Sequence, residues 1–245
     1  MSDPKSTPNF VRKRFYSDVG VEQTAEGFAL KLDGRAVRTP AKAALVLPTK
    51  PLAEAVADEW RAQSEFVNPA TMPLTRLANS TIDGVVARLD EVRSDAARYA
   101  GSDLLCYRAE GPAALVELQA EAWDPVIASV EARIGARFIV TSGIMPATQP
   151  AETLEKVAAW FRAGDAFAIA PLHVITTISG SCILAIAHAE GLIDIETLWR
   201  HALVDEDYQM RLWGRDDEAL RVREQRWGEL EAAARFMALS RVSRE

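Results

Sequence analysis

The hydrophobic repeat of this chain switches once, from a period of two to spacings of three and four, and that switch limits it to strands first and helices after. Phe28-Ala29-Leu30-Lys31-Leu32 alternates, and Asp33-Gly34 follows as a hairpin turn signal, because such a tight turn needs residues that tolerate positive φ. Arg35 to Thr39 reads as the returning strand, stopped by Pro40. Ala44-Leu45-Val46-Leu47 reads as a further strand stopped by Pro48, and Val19-Gly20-Val21-Glu22 as another. At Thr49 the pattern turns helical. Thr49 is placed to cap a helix whose stripe runs through Leu52, Ala55, Val56, Glu59/Trp60 and Gln63. From about Pro73 nearly everything reads as helix, with Leu74, Leu77, Ala78, Ile82, Val85, Val86 and Leu89 at helical spacing. Further helices are predicted over Ala113–Ile134, Ala151–Ala163, Leu172–Glu190, Ile195–Trp213 and Asp217–Leu239. Pro125, with Asp124 as a cap, predicts a kink or a division in the first of these. Arg137 to Thr141 reads as a strand or an extended connector. The expected fold class is α+β: a small β-containing N-terminal domain over 1–72, then a larger all-helical C-terminal domain over 73–245. The boundary falls somewhere between 68 and 90.

Composition narrows the function classes. With 245 residues, 49% hydrophobic and 26% charged, the chain can bury a core without disulfides or metals. Its formal net charge of −7 argues against nucleic acid, whose phosphates need neutralising, and against anionic membrane surfaces. It leaves a basic protein surface open as a partner. Cys106 and Cys182 lie far apart in apolar sequence, which fits buried thiols in a reducing compartment. Met1 to Phe10 has no apolar run suited to a secretory signal, and Arg12-Lys13-Arg14 leads directly into strand-like sequence, a poor transit peptide. The longest apolar run, Ala166 to Ala189, is broken by Pro171, His173, Gly180 and His188, so no membrane insertion is expected. The expected location is the cytoplasm.

A search for catalytic parts finds few. There is no GxxxxGK[ST], no GxGxxG after a strand and no GxSxG. Ile178-Ser179-Gly180-Ser181 reads as close helix packing. Cys106 reads as core, and His173, His188 and His201 read as structural histidines outside any metal-ligand spacing. No catalytic residue, metal, cofactor or small-molecule substrate is therefore expected.

The informative feature is acidic. On the predicted helix Ile195–Trp213, a stripe of Ile195, Leu198, Trp199, Ala202, Leu203, Met210 and Trp213 carries Glu206 at its centre. Asp205 and Asp207 flank it, and Gln209 lies close to the same face. A carboxylate between two tryptophans is costly to bury unpaired. Either an internal cation pairs with it, Arg76, Arg98 or Arg235, or the face is open and presents tryptophan, methionine and acid to another protein.

Several segments together resemble a known family: Ala57-Asp58-Glu59-Trp60-Arg61-Ala62-Gln63, Met72-Pro73-Leu74-Thr75-Arg76-Leu77-Ala78-Asn79-Ser80-Thr81-Ile82-Asp83, and Asp205-Glu206-Asp207-Tyr208-Gln209 followed by Trp213-Gly214. Arg14-Phe15-Tyr16 and Leu32-Asp33-Gly34-Arg35 to Thr39-Pro40 fit it too. The chain is similar, from about Arg14 to Ala234, to the ATP12-type chaperones of the alpha subunit of the ATP synthase catalytic head. That resemblance implies a small β-containing domain before a helical one, and a function without turnover. Such a protein binds free alpha subunit, shields the surface that will face beta, and leaves when beta arrives. The resemblance places the family's acidic stretch on Asp205, Glu206 and Asp207, with a functionally needed acid at Asp205; together with Gln209 and Trp213 these residues form the expected partner contact. Trp60, the tryptophan of the family's xEW motif, is expected to matter through folding or function, and Arg76 and Asn79, a turn apart, are expected to cap, pair internally or contact a partner. Asp217-Glu218-Ala219-Leu220-Arg221 departs from the pattern of mitochondrial relatives, and a bacterial member is implied. A general holdase and a small-molecule enzyme centred on Glu206 are the other readings.

Overall fold

The computed structural model describes residues 12–143, 147–214 and 216–241; the segment Met1 to Phe10, read as lacking a secretory signal, lies outside them. Strand β1 (Arg12–Lys13) leads to β2 (Val19–Thr24) and β3 (Gly27–Leu32), paired antiparallel from Val19 opposite Leu32 to Thr24 opposite Gly27. Asp33 and Gly34 then take φ of 48° and 75°, the positive values the hairpin signal calls for. The chain returns through β4 (Arg35–Ala36) and β5 (Val46–Leu47), which share the far edge of β3. A Cβ on Gly27 would lie 2.4 Å from the Leu47 carbonyl oxygen, so only glycine permits that approach. Thr49 caps α1 (Lys50–Arg61) by accepting from the Leu52 amide at 3.2 Å. Leu52, Ala53 and Val56 of α1 bury themselves on the sheet's inner face, where Leu30, Leu45 and Leu47 sit. Strand β6 (Phe66–Val67) pairs antiparallel with β1.

The rest is mainly helical. Helix α2 (Pro73–Ser80) runs through a wide π-type turn, Thr81–Val85, and a tight turn into α3 (Leu89–Arg98). Then come β7 (Tyr107–Arg108), α4 (Ala113–Ile134) and β8 (Thr141–Ser142), the last parallel to β7. Helices α5 (Ala151–Arg162), α6 (Ala166–Ser179), α7 (Cys182–Ala189), α8 (Ile195–Ala202), α9 (Val204–Trp213) and α10 (Asp217–Ser240) complete the chain. The architecture is the expected α+β, with a small strand region before a larger helical part.

Ala113–Ile134 is one undivided helix with Pro125 inside it, so the division, one of the two alternatives, does not occur. Two further helix expectations need correction. The span predicted over Leu172–Glu190 is divided at Gly180, whose φ of 70° ends α6. Ser181 starts α7 by accepting from Leu184 N at 3.0 Å, and the fully buried Asp103 accepts from Ser181 Oγ at 2.7 Å and Ile183 N at 3.0 Å. The span predicted over Ile195–Trp213 is divided at Leu203, where φ −112° and ψ 13° break the helix and bury the leucine side chain.

Two hydrophobic clusters result. The larger gathers Trp123, Phe161, Ile169, Ile175, Ile183, Leu198 and Leu230. The smaller gathers the sheet and α1 residues with Leu74 and Ala78 of α2 and Phe236 of α10. Helix α10 thus enters both, Leu230 and Ala233 on one side and Phe236 on the other. Among the described residues no helix is long and apolar enough to cross a membrane.

Candidate functional site

The acidic run occupies the first turn of α9, where the positive end of the helix dipole favours carboxylates. Each acid has a partner. Asp205 Oδ1 accepts from Gln119 Nε2 of α4 at 2.7 Å, Glu206 Oε1 accepts from Arg226 Nη1 at 3.0 Å, and Asp207 is paired with Arg223. The pairing cations are therefore Arg223 and Arg226, not Arg76, Arg98 or Arg235. The reason is local topology. Gly214, at φ 90°, ends α9, and residues 207 and 206 pair with 223 and 226 of α10, the earlier residue of one helix with the later of the other. Arg226 also donates to the Ile178 carbonyl at the end of α6, at 3.1 Å. Both guanidiniums sit over the Trp199 ring, 5.5 Å (Arg226) and 6.0 Å (Arg223) from its centroid, and Trp199 packs on Trp227.

The break at Leu203 also changes what the tryptophans do. Leu198 and Leu203 are fully buried and Trp199 half-buried, but Trp213 is 79% exposed. Glu206 therefore lies at the surface and not between two packed indoles. Gln209 is also exposed. Leu212 and Trp213 at the end of α9, with Val222 on α10, place exposed apolar side chains on this helical hairpin. The result is a tryptophan-tipped hairpin with a paired acidic base.

The second set of residues lies where α1 meets α2. Helix α2 begins with Pro73 and has no side-chain cap from Met72. The cap comes instead from Glu59, which accepts from Leu74 N, Thr75 N and Thr75 Oγ1, each at 2.7 Å. Burial pushes the Glu59 carboxyl up, opposed by these bonds and by the nearby Arg235 guanidinium. Sequence reading placed Glu59 on a stripe and in the xEW segment, without a capping role. The available signal was a helix start, Met72-Pro73, with no polar residue to cap it. Trp60 is half-buried: its ring meets Tyr16 edge-on at 5.6 Å, and its carbonyl accepts from the Tyr16 hydroxyl at 2.7 Å. Arg76 is exposed, while the buried Asn79 Oδ1 has no hydrogen-bond partner among the described residues.

The groups that could support chemistry are dispersed and mostly engaged. His173 Nε2 bonds Asp95 at 2.7 Å, and His188 Nδ1 bonds the Ile193 carbonyl at 3.1 Å. His201 is held below its usual range by burial and then by Arg200. Burial pushes the Cys106 thiol up to about 12 and raises Cys182 as well, which removes both as nucleophiles near neutral pH. Among the described residues no group of three or more His, Cys, Asp or Glu could hold a metal ion.

Comparison with known proteins places the chain. Residues 13–131 match the family described as ATP12 chaperone protein. The crystal structure of Atp12 from Paracoccus denitrificans is 40% identical and superposes with a TM-score of 0.91, over 94% of this chain and 99% of that one. A candidate chaperone from Agrobacterium tumefaciens is 43% identical, also with a TM-score of 0.91, over 94% of this chain and 87% of that one.

Proposed function

The chain belongs to the ATP12 chaperone family, and from that premise we propose that it is an assembly chaperone for the alpha subunit of the ATP synthase catalytic head. On this reading it holds free alpha subunit in a bacterial cytoplasm, covers the surface that later faces beta, and works by binding without turnover. The observation that carries the reading is the α9–α10 hairpin. A tryptophan left 79% exposed, next to the exposed Leu212 and with Val222 exposed on the following helix, is suited to act as an aromatic anchor. Its base carries Asp205, Glu206 and Asp207, whose side chains are oriented by Gln119, Arg226 and Arg223. An anchor with a polar, pre-organised rim suits a complex that must form and then come apart. Release then follows from a competing partner that buries more of the same surface.

The test is co-expression with tagged alpha or tagged beta subunit, scored as soluble complex on size exclusion. The reading expects alpha to be kept soluble and beta not. Trp213→Ala should weaken the complex by about 2 kcal/mol, roughly thirtyfold, while the melting temperature changes little because the residue is 79% exposed. Equal retention of both subunits would make the protein a general holdase, and retention of neither would remove the client.

A further inference from the structure

A second surface on the opposite kind of charge lies in the strand region. Between β1, β4 and the end of α1 runs a groove of about 710 Å³, walled by Arg12, Phe15, Trp60, Arg35, Val37 and Arg38. In a chain of net charge −7, three guanidiniums here face a single carboxylate, that of Asp33. Asp33 is already engaged: its Oδ1 accepts from Ser17 N at 3.0 Å and Asp18 N at 2.8 Å, bonds that hold its carboxyl below the usual range. Among the described residues none of the three arginines forms an ion pair; Arg38 donates to the Lys42 carbonyl at 2.8 Å.

The apolar wall is built as well as charged. Phe15 is 59% exposed, yet it is fixed edge-on against Tyr16 at 5.4 Å, with the Arg12 guanidinium 5.2 Å from its ring centroid. Tyr16 in turn packs on Trp60. Exposed aromatics with arginines alongside are the composition of interface centres. Arginine forks match carboxylates in two-point contacts, which sets the sign of the occupant.

We propose that this groove docks an acidic, apolar-anchored peptide segment of the client, one bearing carboxylates for Arg35 and Arg38 and an apolar side chain for Phe15 and Trp60. The proposal rests on the client reading above and gives the chaperone a second grip, of opposite charge to the acidic hairpin. Two unlike contacts set the orientation in which a client is held.

The experiment uses the full chain against short overlapping peptides covering the alpha subunit, and separately against the intact subunit. Wild type should select peptides that combine carboxylates with an apolar residue. Arg35→Glu with Arg38→Glu should weaken those peptides and the intact subunit at least about tenfold. An unchanged melting temperature shows the fold is kept, and Phe15→Ala, which leaves the charge alone, should weaken the same peptides. Selected peptides without carboxylates, or full binding of the intact subunit by the double reversal, would overturn the groove and leave the client reading standing. Failure of the intact subunit to bind wild type, with acidic peptides still captured at the arginines, would do the reverse.

Discussion

Glu59 shows how one side chain can carry an element. Its carboxylate caps α2 across 14 residues of intervening chain. Glu59→Gln replaces one acceptor oxygen with a donor facing other donors. A loss of about 1–2 kcal/mol is expected, read as a shift in the urea midpoint. The cysteines give a pH prediction. With the Cys106 pKa raised from 9.0 to about 12, the fold keeps the neutral thiol. The stability this confers is intact below pH 9 and is lost as pH climbs from 9 toward 12. The gap between wild type and Cys106→Ala should therefore narrow over that interval, by up to about 1.4 kcal/mol per pH unit. A thiol reagent at neutral pH should leave native protein unlabelled and modify both cysteines after denaturation, since both are fully buried.

The α9–α10 hairpin is the element where the proposed client contact and packing meet. Arg226 combines three roles: the Glu206 pair, the Ile178 carbonyl and the Trp199 face. Arg226→Ala should cost about 1–2 kcal/mol, most of it from the half-buried carbonyl and ring contacts. Glu206→Gln should cost under about 0.5 kcal/mol, because its side chain is 48% exposed and the pair is screened by solvent. Thermal melts of the two single variants and the double variant separate these terms. Glu206→Gln is thus a clean reporter of partner binding. What was legible in the sequence here was local. Asp33-Gly34 set a hairpin, and Thr49 capped a helix, because in each case the deciding residues are adjacent. The Leu203 break and the Arg223 and Arg226 pairs were not legible. The pairs depend on residues 16 and 20 positions away, beyond the end of α9 at Gly214. For the same reason Trp213 was placed on a stripe that the break in fact turns outward.

Across the whole molecule, α10 ties the strand region to the helical part. Phe236 is fully buried in the smaller cluster and stacks on Phe167 at 6.2 Å, while Leu230 and Ala233 serve the larger one. Thr49 Oγ1 donates to the Leu239 carbonyl and closes the same junction. The period switch announced two kinds of structure, but it could not show that the last helix joins them, since such a contact spans most of the chain. Phe236→Ala should cost about 3–5 kcal/mol, and wild type should unfold in one transition by calorimetry.

The most direct test of the chaperone account starts from purified complex with alpha subunit and adds beta subunit in the presence of a non-hydrolysable nucleotide. Size exclusion with light scattering then follows each protein. The account predicts that free chaperone elutes as the alpha–beta species forms, without hydrolysis. A chaperone that stays on alpha, or leaves only when ATP is turned over, would contradict it.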